Sequence, residues 1–327
     1  MIVANEKGCE LGVLKNYKEA EFSIGDENDF VIVQKSQAVN KEFLWYESQV
    51  FIPGTEFGGI VKDITSLTKS KTVKFMGDTW RGMLRKKIIC PPSGQDYLTV
   101  NGELNEVLRK MLKEHFGDWF VVPEESTEVT VKYQFNRYVT LLDGLTSLLE
   151  SVNYKLCIKY IQGAPGEAGY VEVSAVPINN YSEEEEEEYS QDCNIKMTVR
   201  DYRRGINHLI CLGEGELKDR IRIDLYIQKD GSIGKTQYYK GIEERTDVYD
   251  YSSADVVDLE KGGKKRLKEL ADYKEFDMDI EKADLELSDI VSGRDYVTGL
   301  HVAKPVVQKI FKISNGKERI DYKLKGD

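Results

Sequence analysis

Short runs of β-branched and aromatic residues, each cut off by a turn signal, set the terms for what this chain can fold into. Leu11-Gly12-Val13-Leu14, Phe30-Val31-Ile32-Val33 and the run 45–52 are too short for helices. Gly25-Asp26-Glu27-Asn28-Asp29, Pro53-Gly54-Thr55 and Gly58-Gly59 punctuate them. Residues 59–64 and 72–77 read as a hairpin joined by the polar link 65–71. Strands at this spacing predict a barrel or a sandwich, and 19 Tyr, 11 Phe and 3 Trp favour sheet over bundle. No repeat of 20–50 residues is present.

The middle of the chain breaks this rhythm. Asp78 or Thr79 caps a short helix with Trp80, Met83 and Leu84 as its apolar positions, stopped by Pro91-Pro92. Leu104, Val107, Leu108, Met111 and Leu112 follow helical spacing over 103–115, and Gly117-Asp118 ends that helix. A second helix spans about 138–152, with Asn153 at its end and a strand at 154–161. Strands are also expected at 119–122, 129–133 and 170–176. Sheet resumes from 194, at 195–200, 206–212, 221–227 and 236–239, with an Asp230-Gly231 turn. Ser252-Ser253 is expected to cap a helix near 253–273 that Gly262-Gly263 interrupts. The tail reads as strands at 278–280, 283–287, 297, 299–302, 306–313 and 320–324, with an Asn315-Gly316 hairpin turn. The expected division is 1–90, a first β region; 91–192, an α/β insertion with a flexible acidic loop at 180–192; and 193–327, a second β region.

The net charge is −11, but six of the acids are the run Glu183–Glu188, and without them the balance is −5. Six adjacent like charges repel and resist packing, so an exposed loop is expected there. An acidic chain is not steered to nucleic acid. The start lacks the basic and apolar regions of a signal peptide, and no run reaches the roughly 18 apolar residues of a membrane span. Cys9, Cys90, Cys157, Cys193 and Cys211 form no CxxC pair, which argues against a disulfide framework or a zinc site and suits a reducing compartment.

No catalytic, cofactor or metal site assembles from the sequence. Gly234-Lys235-Thr236 has Lys229 where a phosphate loop needs its first glycine, and a strand is expected where that loop needs a helix. Gly213 and Gly215 lack the third glycine of a dinucleotide loop, Lys218 standing in that place. His115, His208 and His301 are far apart. Cys211 is three residues from His208, so strand alternation points the two to opposite faces, and a satisfied core or interface histidine is expected. Glu214/Glu216 and Asp277/Asp279 are carboxylate pairs without further context. The acidic run lacks the alternating ligands and turn glycine of a calcium loop. Arg81, Arg85, Lys86 and Lys87 read as a solvated helix face or an ion-pair surface rather than a phosphate patch, since no aromatic ladder accompanies them.

The run from Gly205 through Asn207-His208-Leu209-Ile210-Cys211-Leu212-Gly213-Glu214-Gly215-Glu216 resembles a segment of phage tail hub proteins, the baseplate or tail-tip hubs of the siphophage ReqiPepy-type and Mu-type class. Other stretches resemble the same family in the same order: 77–84 with 88–98, Leu142-Asp143-Gly144-Leu145-Thr146-Ser147-Leu148-Leu149-Glu150, 239–251, and Asp289-Ile290-Val291-Ser292-Gly293-Arg294 onward to Leu300. Together they cover most of the chain from about residue 60. The resemblance implies an α+β, mainly β chain, with two tube-like β-barrels flanking a smaller α/β region. It implies a virion structural protein made in the bacterial host cytoplasm and not an enzyme. A homotrimer would mate with the tail tube or a distal tail protein of a phage, prophage or tailocin. The other end would hold a spike or a tail-associated lysin, with DNA as passing cargo, an acidic channel wall, no cofactor and no membrane. The competing classes are a tail-associated peptidoglycan hydrolase, which needs a catalytic constellation, and a cell-wall-binding tail-tip module drawing on the tyrosines.

Overall fold

The computed structural model describes residues 1–181, 189–190, 196–279, 285–294, 297–314 and 316–324. The expected acidic run Glu183–Glu188, Cys193 and Asn315 lie outside them. The chain is mainly β, with several sheets, and among the described residues none closes on itself. Two closed barrels are therefore not what the hydrogen-bond paths trace.

Two compact units form: Met1–Met197 with Met278–Lys325, and Thr198–Asp277. The packing groups the chain differently from the division at 90 and 192, because strands from both ends share one sheet. Lys317–Leu324, His301–Ser314, Tyr17–Gly25, Asp29–Lys35, Thr72–Asp78 and Asp63–Leu67 lie side by side in that order, each antiparallel to the next. Alternation explains the buried face. Ala20, Phe22 and Ile24 are inward, as are Phe30, Ile32 and Phe75 on the strands beyond. Phe22 stacks on Phe30 with ring centroids 5.4 Å apart.

The same unit holds the α/β core. Helix Leu104–Phe116 buries the Leu104, Val107, Leu108, Met111 and Leu112 stripe. Helix Leu141–Glu150 is capped by the Thr140 side chain, which accepts from the Asp143 N–H. Both pack against the antiparallel pair Tyr154–Ile161 and Tyr170–Pro177. Lys155 and Asp289 form a buried ion pair 2.5 Å long, with side chains 5% and 1% exposed. Asp289 also accepts the N–H groups of Asn179 at 3.0 Å and Glu286 at 2.9 Å.

The second unit is a four-stranded sheet with one helix. Strand order is Ile233–Gly234, Arg222–Ile227, His208–Leu212 and Thr246–Asp250. The strand expected at 236–239 is absent; the return strand is only Ile233–Gly234. Helix Val256–Leu270 runs unbroken through Gly262-Gly263, against expectation. The reason is close packing: a Cβ on Gly263 would sit 2.5 Å from the Cys211 sulfur and 2.9 Å from Leu225 Cδ1. The cap is also different. Asp255, not Ser252 or Ser253, accepts the N–H groups of Val257 and Asp258. Leu209, Cys211, Leu225, Leu259 and Leu267 make this unit's core. No helix among the described residues is long and apolar enough to cross a membrane.

Candidate functional site

The stretch 207–216 lies at the centre of the second unit's sheet. Strand His208–Leu212 pairs antiparallel with Arg222–Ile227 and parallel with Thr246–Asp250. Its apolar alternation gives Leu209 and Cys211 to the helix face, leaving His208, Ile210 and Leu212 on the other. Asn207 fixes the start of the strand: its side chain donates to the Glu243 carbonyl at 2.7 Å and accepts the Arg245 N–H at 2.8 Å.

His208 sits between two acids. Its Nε2 is 2.9 Å from Asp224 Oδ1 and its Nδ1 is 2.7 Å from Glu244 Oε1. The Thr246 hydroxyl lies 3.1 Å from Nδ1, and the ring stacks on Tyr226 at 4.3 Å. Arg222 grips Asp224 with Nε at 2.9 Å and Nη2 at 2.8 Å. Those Arg222 bonds, with the one from His208, hold the Asp224 carboxyl below the usual range. The His208 bond does the same for Glu244.

An imidazole held by a carboxylate is half of a nucleophile-activating pair, but the other half is missing here. Cys211 is on the opposite face, buried against the helix, and burial pushes its thiol up to about 11. What remains is a brace: one side chain ties the central strand to both neighbours.

The other sequence candidates separate. Arg81 is buried rather than solvated. Its Nε and Nη2 meet Glu56, both side chains being 6% exposed, and Nη2 also donates to the Leu156 carbonyl at 2.8 Å. Burial works against the charge on Arg81, and the Glu56 carboxylate outweighs it. Arg85 donates to the Asp26 carbonyl at 3.0 Å, Lys86 pairs with Asp78 at 3.4 Å, and Lys87 lies over the Phe116 ring at 5.1 Å. The four cations thus make no shared patch. Lys235 pairs with Glu260 at 2.7 Å, and no helix follows Gly234. Gly213 and Gly215 lead into a short turn, Leu217–Asp219. His115 is in helix Leu104–Phe116 and His301 begins the strand His301–Ser314. Glu214 and Glu216 are exposed in a loop. Asp277 and Asp279 are on the strand Tyr273–Asp279, where only the backbone is described. Among the described residues no group of three or more His, Cys, Asp and Glu could hold a metal ion.

Sequence reasoning missed Glu56, Asp224 and Glu244 as partners. Asp224 carried a signal, the polar alternation of Arg222-Ile223-Asp224-Leu225-Tyr226. Glu56 carried none, since only the fold brings it to a residue 25 positions away.

No protein-family profile and no curated protein sequence matches this chain. Solved structures with a similar course exist. A 43 kDa tail protein of prophage MuSo2 from Shewanella oneidensis is 12% identical, covers 99% of this chain and 97% of its own, and superposes with a TM-score of 0.48. A tail protein from Neisseria meningitidis MC58 is 14% identical over 100% and 96% of the two chains, at 0.47. The prophage tail protein gp18 from Listeria monocytogenes EGD-e is 14% identical over 98% and 93%, at 0.45.

Proposed function

We propose that the chain is a structural tail hub protein of a phage, prophage or tailocin. In this reading a homotrimeric ring joins the tail tube to the distal baseplate or spike. The observation that carries it is where the hub-like segments spend their side chains. In 77–84, Trp80 is fully buried, and Arg81 neutralises Glu56 inside the fold. Gly82 is there because a Cβ would run into the Asn28 carbonyl oxygen. In 205–216, His208 braces three strands. In 289–300, Asp289 closes a buried ion pair. Groups committed to holding shape in this way are not free for acid–base or nucleophilic work, which favours a scaffold over a hydrolase.

The sheet supports a ring as well. Six of its eight strands run antiparallel from Asp63–Leu67 on one side to Lys317–Leu324 on the other, while Ile290–Arg294 and Tyr189–Ser190 join it through residues 301–305, and neither Asp63–Leu67 nor Lys317–Leu324 pairs with a further strand among the described residues. An even count means that a neighbouring copy's Lys317–Leu324 would meet Asp63–Leu67 antiparallel, continuing the order. Head-to-tail contacts of this kind close a ring when the rotation between copies is a third of a turn, and run on as a filament otherwise. Barrel-like closure is then a property of the assembly.

Light scattering and negative-stain electron microscopy of the purified chain test this. The expected result is a trimeric mass and annular particles, lost when lysines are placed on the edge by Thr65→Lys with Leu67→Lys, while the far-UV circular dichroism is unchanged. A strictly single chain at all concentrations that also clears peptidoglycan in a zymogram overturns it.

A further inference from the structure

Three irregularities in the large sheet each bring a lysine to one hollow of about 570 Å³. Pairing between Tyr17–Gly25 and Asp29–Lys35 slips between Tyr17 and Glu19, so Lys18 sits on a β-bulge with no partner across the strand. Lys35 ends its strand, where Ser36 turns the chain and donates its N–H to the Lys71 carbonyl at 2.9 Å. Lys71 closes the turn between Asp63–Leu67 and Thr72–Asp78 with φ at 51°, a left-handed conformation uncommon for a residue with a Cβ. Exposed Ser36, Gln37, Ser66, Thr68 and Ser70, with Thr72, complete the lining.

The charge here is uncompensated. Lys62, Lys155, Lys235, Lys309 and Lys312 all have carboxylate partners. Lys18, Lys35 and Lys71 have none among the described residues, in a chain whose net charge is −11. Three lysines lining one hollow, none of them in an ion pair among the described residues, suit an oxyanion with more than one charge, phosphate above all. Hydroxyls and one amide around them suit a ligand with hydroxyls of its own. The lining holds no aromatic ring, so neither a base nor a sugar ring finds a stacking platform.

We infer that this hollow binds a hydroxyl-bearing phosphate ester, of the polyol phosphate class. The inference rests on unit-one residues alone; Ser66 lies on the strand Asp63–Leu67 that the assembly reading gives to a neighbouring copy, so the lysine variants, which lie off that strand, tell the two readings apart. Isothermal titration of the full chain with a short synthetic oligo(glycerol phosphate), beside an oligothymidylate of equal charge, tests it. The polyol phosphate is expected to bind and the oligothymidylate to bind at least about tenfold more weakly. Lys18→Gln, Lys35→Gln and Lys71→Gln together should abolish binding, and each alone should lower the salt dependence by about 0.7 in the log–log slope. Ser66→Ala with Thr68→Ala should weaken the polyol phosphate and leave the oligothymidylate unchanged. All five side chains are exposed, so tryptophan fluorescence melts should match the parent's. Equal binding of both polymers, retained affinity in the triple lysine variant, or no binding at low salt each overturns the inference.

Discussion

Asp289→Ala should be among the costliest single changes in the first unit, and costlier than Lys155→Met. The two residues are 134 positions apart and buried together. Removing the carboxylate leaves the Lys155 ammonium buried without a counter-ion, which costs about 3–5 kcal/mol. It also strips the Asn179 and Glu286 N–H groups of their acceptor, at about 1 kcal/mol or more each. The sum, about 5–7 kcal/mol, approaches the whole stability of an ordinary domain. Lys155→Met leaves the carboxylate accepting both N–H groups, so its cost should stay near about 3 kcal/mol. Lys155→Met with Asp289→Leu removes both charges and should recover to within about 2 kcal/mol of the parent. Urea unfolding followed by tryptophan fluorescence reads this cleanly, because Trp45, Trp80 and Trp119 all belong to the first unit. The reasoning fails if Asp289→Ala costs under about 1 kcal/mol, if Lys155→Met proves the worse of the two, or if the double variant is less stable than Asp289→Ala.

Gly263→Ala should destabilise the second unit by about 1–3 kcal/mol, since the new methyl meets the Cys211 sulfur. Gly262→Ala, which meets only the movable Tyr249 hydroxyl, should be nearly neutral; circular dichroism in urea would separate them, and equal behaviour would discredit the packing account. Acidification should loosen the His208 brace. The folded values of Asp224 and Glu244 lie below the unfolded ones, so their contribution is present above about pH 4 and lost as pH falls through the depressed values. Carboxyl-carbon NMR midpoints at ordinary carboxylate values would contradict that. Iodoacetamide should label exposed Cys90 well before Cys157 and Cys211, whose thiols burial pushes up, and mass spectrometry showing Cys211 modified first would refute the assignment.

The helices were legible because their signal is local. The stripe Leu104, Val107, Leu108, Met111 and Leu112 needs no other part of the chain to be read, and it is buried as its spacing requires. The strand Tyr17–Gly25 was equally readable from Ala20, Phe22 and Ile24 alternating with Glu19, Glu21 and Ser23, yet its charged residues hid it. The pairing of residues 17–25 with 308–314 was beyond reach, since register across nearly 300 positions leaves no local trace. The helix Val256–Leu270 shows a rule overridden. Paired glycines lower helix propensity, but at 263 the neighbouring strand leaves no room for a side chain, and packing decides. Likewise Arg81 looked like one of four surface cations, and only its partner Glu56, from a turn elsewhere, made it an interior residue. His208 was read as satisfied, and the acids that satisfy it come from inside the neighbouring strand Arg222–Ile227 and from the turn that precedes Thr246–Asp250.

The chain leaves its first unit and comes back along two strands, Lys196–Tyr202 and Tyr273–Asp279, that hydrogen-bond to each other. Departure and return at one doorway make the intervening segment a cassette. Such a segment is open to exchange, lengthening or excision in favour of a tight loop, because nothing on the far side of the doorway has to be rethreaded.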